Sequence, residues 1–241
     1  MSLINTTQAR RKVFAGIILS GMLFSTQALA AFTLNGTRFI YDEGQRNISF
    51  EVKNHTDNIY GGQVWIDNES LPDDSTVMVP SPTFFKVGGQ QKQIIRILNI
   101  NDSELPKDKE SLFRLNVQEI PPAPGADKSA LTLAMSTQVK LIYRPSSLKE
   151  GRPGAEKHLR IIQRNGQSVL QNPTAYYFAV LAIHNGQNEN APVVRLDKDV
   201  ISAISTLAPG GEVPLRQKLQ GPLTIDALDD YGGSRSYTVT Q

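Results

Sequence analysis

Ile48, Phe50 and Val52 alternate with Ser49, Glu51 and Lys53, the two-residue period of a strand with one buried face. Similar short runs lie at residues 37–41, 63–66, 77–79, 93–98 and 112–120, closed by turn residues such as Asp42-Glu43-Gly44-Gln45, Asp67-Asn68, Pro80-Ser81-Pro82 and Pro121-Pro122. The longest β-like stretch, residues 131–143, stops at Arg144-Pro145, where proline removes a ladder donor. A second set follows at 159–163, 169–170, 176–183, 193–196, 211–215, 223–227 and 236–240. Strands this short and this regularly interrupted predict β-sandwiches. No segment keeps a helical period for three turns, so almost no helix is expected. The polar, Gly/Pro-bearing segment 146–155 (SSLKEGRPGA) divides the strands into two sandwiches, residues 31–145 and 156–241.

The first thirty residues have a different pattern. Arg10, Arg11 and Lys12 precede an apolar run from Val13 to Phe24, and Ala28-Leu29-Ala30 places small residues at both positions a signal peptidase reads. The run is shorter than the ~20 residues a spanning helix needs. Residues 1–30 are therefore expected to be a secretory signal cleaved after Ala30, with the mature chain in the periplasm and not inserted in a membrane. Cleavage removes three cations and no carboxylates, taking the net charge from +2 to −1. The mature chain then has no net basic field to attract nucleic acid.

Composition narrows the chemistry. With no cysteine there is no disulfide framework, thiolate zinc site or thiol nucleophile. The three histidines, His55, His158 and His184, are far apart and keep the polar company of exposed loops. No G-x-S-x-G elbow, Gly-rich phosphate loop, G-x-G-x-x-G or H-E-x-x-H occurs. The expectation is a non-enzymatic protein with no cofactor and no metal.

The long strand is the informative feature. Leu131, Leu133, Met135, Thr137 and Val139 share one face, and Thr132, Ala134, Ser136, Gln138 and Lys140 share the other. The pattern alone fits a core-facing strand, and it fits equally an edge strand offered to a partner.

Several segments carry a resemblance. The run 105–113 (LPKDKESLF), continuing through Asn116-Val117-Gln118-Glu119-Ile120-Pro121, is similar to the signature of periplasmic pilus (fimbrial) assembly chaperones, the PapD-like family. Residues 36–41 (GTRFIY), 140–145 (KLIYRP), 172–177 (NPTAYY) and 230–232 (DYG) resemble the same family, so the likeness spans nearly all of the mature chain. Arg114 departs from it, standing where an aromatic residue is expected.

The resemblance implies an all-β protein with two immunoglobulin-like β-sandwiches in a boomerang arrangement. It would bind and cap pilus subunits by donor-strand complementation and deliver them to an outer-membrane usher. By the same resemblance, Arg38 and Lys140 match the pair that anchors a subunit's C-terminal carboxylate. Leu131, Leu133 and Met135 match the residues that fill the subunit's groove, and Glu110, Arg144 and Asp230 match an inter-domain ionic network. The competing expectation is a secreted structural pilus subunit or Ig-like adhesion module. Subunits usually resemble one sandwich with a cysteine pair, whereas this chain reads as two and has none.

Overall fold

A computed structural model describes residues 31–72, 75–123, 133–187 and 190–239. The predicted signal segment, its cleavage site and Leu131 lie outside the described residues. No helix among the described residues is long and apolar enough to cross a membrane.

The first sandwich faces a four-stranded sheet against a five-stranded one. The four-stranded sheet runs in the order β1 (Phe32–Leu34), β3 (Asn47–Asn54), β7 (Lys92–Asn99), β5 (Met78–Ser81). The five-stranded sheet runs β2 (Arg38–Asp42), β9 (Ser136–Arg144), β8 (Ser111–Ile120), β4 (Tyr60–Asn68), β6 (Phe84–Val87). Alternation places Phe50, Val52, Ile95 and Ile97 from one sheet against Tyr41, Val64, Phe113, Leu115, Leu141 and Tyr143 from the other. Each fully buried apolar side chain of this size contributes about 1.5–3 kcal/mol, so this interleaved layer holds the sandwich closed.

The N-terminal strand changes sheets partway along. β1 pairs antiparallel with β3, and Asn35 then tethers the crossing by accepting the Glu51 N–H on its side-chain oxygen at 2.9 Å. After the crossing, β2 pairs with β9 in parallel, in register Arg38↔Lys140 through Asp42↔Arg144. β9 pairs along its other side with β8 from Ser136 to Tyr143. Among the described residues, therefore, nothing pairs with the β2-side edge of β9 from Ser136 to Val139.

The second sandwich has two three-stranded sheets. One is β10 (Arg160–Arg164), β11 (Gln167–Gln171), β13 (Glu212–Pro214); the other is β12 (Ala179–Asn185), β14 (Leu223–Leu228), β15 (Ser234–Val239). Asn165 and Gly166, with φ of 51° and 80°, make the tight β10–β11 turn, which needs two positive φ values in succession. Leu159, Ile161, Leu170, Phe178, Ile183 and Ile225 form its separate core. A two-turn helix, α1 (Lys198–Ile204), packs Val200 and Ile204 into that core.

Four expectations need correction. Of the stretch at 131–143, the described residues 133–135 lie outside the sheet and the strand begins at Ser136, so β8 is the longest strand among the described residues. Residues 193–196 form only an isolated bridge, Val193 with His184. The segment 146–155 is not a loose tether, because Arg152 and Ala155 are buried within it. His184 is buried rather than in an exposed loop; its Nε2 lies 2.8 Å from Asp226 Oδ2 and its Nδ1 3.0 Å from the Ala191 carbonyl. Their common reason is that packing between strands and cores, invisible to local periodicity, decides burial. Strands β1 and β6 went unpredicted because three or four residues are too few to show a period.

Candidate functional site

Odd-numbered residues of β9 point into the first core and even-numbered ones point away. On the core side, Leu141 and Tyr143 are fully buried and Val139 is partly buried. The same face then runs beyond the sandwich, leaving Met135 53% and Leu133 70% exposed. The two readings of this strand therefore meet on one face, which is core at its C-terminal end and open at its N-terminal end. The backbone edge beside the open part is the unpaired one. The apolar side chains and the free backbone groups thus lie together.

Away from the core, β2, β9 and β8 align their outward residues in rows, because directly opposite residues share a face. One row is basic: Arg38, Lys140 and Arg114. The next is apolar: Ile40, Ile142 and Leu112. The third begins with Asp42 and Arg144, and Glu110 lies just before β8.

In the basic row, Arg38 is only 9% exposed; its Nη1 donates to the Leu228 carbonyl at 3.3 Å and its buried Nε has no partner. Lys140 Nζ donates to the Ser205 carbonyl at the C-terminal end of α1, where the partial negative charge of the helix favours a cation. Among the described residues neither cation has a carboxylate partner at ion-pair distance. Burial, together with the neighbouring Arg38 and Arg114, lowers the Lys140 pKa to about 8. Burial also lowers that of Arg38, with Asp230 opposing. The space between them, lined also by Tyr177, Phe178 and Thr206, is only about 10 Å³, no more than a single water requires. An arriving anion must therefore displace the carbonyls that now hold the two cations.

The ionic row is the opposite case, with its charges satisfied. Arg144 Nε donates to Glu110 Oε1 at 2.6 Å, and its two terminal nitrogens donate to the Asp230 oxygens at 2.7 and 3.0 Å. Glu110, 1% exposed, accepts the Tyr177 N–H at 2.7 Å on its other oxygen. One guanidinium from β9 thus ties a carboxylate beside β8 to one beyond β14. Burial opposes the charge on Arg144, but its hydrogen bonds to Asp230 and the charge of Glu110 outweigh it and raise its pKa. Burial pushes the Glu110 carboxyl up, against the pull of Arg144. Sequence reasoning missed two further members. Arg152 bonds Glu156 at 2.8 Å, lies 3.3 Å from Asp230, and stacks its guanidinium over Tyr176 and Phe178 at 5.7 and 5.3 Å. An Arg and a Glu four residues apart were visible, but in a segment read as linker they carried no signal. A cavity of about 380 Å³ opens beside this row, and the charges lining it are largely paired with one another.

Arg144→Lys keeps the charge but cannot make three directed hydrogen bonds to two carboxylates. It is expected to lower unfolding stability by about 1–2 kcal/mol, read as a lower urea midpoint. An unchanged midpoint would show that the network contributes nothing.

Fold and site together define a binding protein of two Ig-like sandwiches, in which an open apolar strand edge leads to a basic row where Arg38 and Lys140 have no carboxylate partner among the described residues. The chain belongs to the family of pilus assembly chaperones. A family model described as pili and flagellar-assembly chaperone, PapD N-terminal domain, matches residues 31–149, and one described as pili assembly chaperone PapD, C-terminal domain, matches 154–239. The Escherichia coli chaperone protein FanE is 46% identical over 224 residues, covering 92% of this chain and 96% of its own length. The Escherichia coli chaperone protein ClpE is 34% identical over 228 residues, covering 94% and 83% respectively. The crystal structure of the periplasmic chaperone SfaE superposes with a TM-score of 0.66 at 28% identity, over 87% of this chain and all of that one. The likeness is to chaperones throughout and gives no support to a structural pilus subunit.

Proposed function

We propose that this chaperone captures pilus subunits in the periplasm by lending them the open edge of β9, with Arg38 and Lys140 gripping the subunit's terminal carboxylate. The observation that carries the reading is the core face of β9 running out of its own sandwich beside an unpaired backbone edge. A subunit lacking a strand exposes an apolar groove and free backbone groups, the features of an aggregation-prone edge. Leu133 and Met135 fill that groove while the edge supplies main-chain hydrogen bonds. A slip of one residue would turn the polar face inward, so a fixed carboxylate sets the register. Arg38 and Lys140 suit that task because they are partly desolvated and have no carboxylate partner among the described residues. Glu110, Arg144 and Asp230 hold the two sandwiches at the angle that frames the row. Export with cleavage after Ala30, and release at an outer-membrane usher, complete the proposed route.

The test is co-expression with a pilus subunit, followed by recovery of the complex from the periplasm. Parent chaperone is expected to retain soluble subunit. Recovery of equal amounts without any chaperone would refute the proposal.

Lys140 also predicts a pH dependence. Carboxylate binding requires the ammonium form, which predominates below the free-protein pKa of about 8. Affinity is expected to be level between about pH 6 and 7.5, then to fall as pH rises through 8, by up to about tenfold per unit. Titration calorimetry across that range checks this; a flat profile to pH 9.5 would exclude Lys140 from the contact.

A further inference from the structure

The basic row has a third cation that the two-residue anchor does not use. Arg114 lies directly opposite Lys140 on β8, as Arg38 lies directly opposite it on β2. Neighbouring strands are about 4.8 Å apart, so the three positions span roughly 10 Å. One carboxylate, with oxygens about 2.2 Å apart, can bridge two adjacent strands but not three. The row therefore presents donors for two acceptors side by side.

Arg114 is also free to take one. Its Nε is bound to Glu69 Oε1 at 2.9 Å, but the glutamate is exposed and the arginine only partly buried, so the pair is open to solvent and contributes about 1 kcal/mol. Asp67, which faces Arg114 across β4, is occupied: its Oδ2 accepts the Asn116 side-chain amide at 2.8 Å. Asn116 in turn accepts from Gln138 at 2.9 Å, which closes the next row against charge. The charged groups around Lys140 are thus Arg38 and Arg114 beside it and Glu69 beyond Arg114.

Resting on the anchor reading above, we propose that Arg114 is a specificity-determining residue that selects clients whose last residue carries an acidic side chain. The main-chain carboxylate lies over Arg38 and Lys140, and the side-chain carboxylate exchanges with Glu69 for Arg114. Arg114 acts as a second grip, so a client ending in a neutral residue still binds through the first.

The probes are two 15-residue peptides of alternating valine and threonine, identical except that one ends in Asp and the other in Asn, both with free C-terminal carboxylates. Their affinities for the mature chaperone are measured by NMR titration at pH 7. The parent is expected to bind the Asp-ended peptide about fivefold more tightly. Arg114→Leu is expected to bind both equally, at the Asn-ended level, and added salt is expected to shrink the preference in the parent. Lys140→Met is expected to weaken both. Equal binding of the two peptides by the parent, or a preference that survives Arg114→Leu, would overturn the selection proposal alone. Failure of the parent to bind either peptide, or no loss with Lys140→Met, would overturn the anchor beneath it.

Discussion

Lys140→Met is expected to abolish recovery of a pilus subunit with the chaperone, a loss of at least about a hundredfold in affinity, while the protein stays folded. The carboxylate contact combines a charge-assisted hydrogen bond with partial desolvation, and methionine supplies neither. Folding is spared because the substitution keeps the stem and removes a charge that burial already disfavours. For a lysine whose folded pKa of about 8 lies below its ordinary value of 10.5, that penalty is fully present below pH 8 and is relieved between 8 and 10.5. The variant should therefore unfold at the parent's temperature or slightly above it at pH 7, and the difference should shrink by pH 10. Each substitution removes one bond to a carbonyl, of Ser205 or of Leu228, but Arg38→Ala should lose the client without the gain, because alanine also empties the buried space that the arginine stem fills. Circular dichroism melts alongside co-purification separate these effects. Both variants retaining subunit would remove the cations from the account.

Leu133→Asp is expected to be as damaging to capture and harmless to the free chaperone. Leu133 is exposed and belongs to neither core, so an aspartate there meets only water before a client arrives. In the complex the same carboxylate enters an apolar groove without a partner, at a cost of several kcal/mol. Leu141→Asp, one register family along on the same face, is the instructive contrast: there the charge enters the first core and should unfold that sandwich. The pair separates the open end of β9 from its buried end. A Leu133→Asp protein that melts far below the parent would mean that this residue is core and the lending strand is elsewhere.

The sequence made the strands legible wherever one face was buried and the run was long enough to alternate, as at Ile48, Phe50 and Val52. It also made Arg38, Lys140, Glu110, Arg144 and Asp230 conspicuous, though only through resemblance, since nothing in their spacing brings residues 38, 140 and 230 together. The row that aligns Arg38 with Lys140 and Arg114 is set by strand pairing, which for Arg38 and Lys140 reaches across more than a hundred residues. Arg114 itself was noticed as a departure, and only the register gave that departure a position beside the anchor. The sheet change between β1 and β2, which leaves the β9 edge uncovered, depends on where Phe32–Leu34 finds its partner. Local pattern carries no record of that choice. Arg152 and Glu156 were hidden because a charged, glycine-bearing segment reads as solvent-exposed until cation–π stacking and a buried carboxylate turn it inward.

The central claim is that a client completes its sheet on the open edge of β9. Backbone amide hydrogen exchange, compared between the free chaperone and its complex with a pilus subunit, tests it most directly. Within residues 133–139, the amides that β8 does not engage should exchange rapidly in the free protein and become strongly protected in the complex, with no comparable change in β10–β15. Unaltered exchange across 133–139, with new protection confined to the second sandwich, would contradict the account.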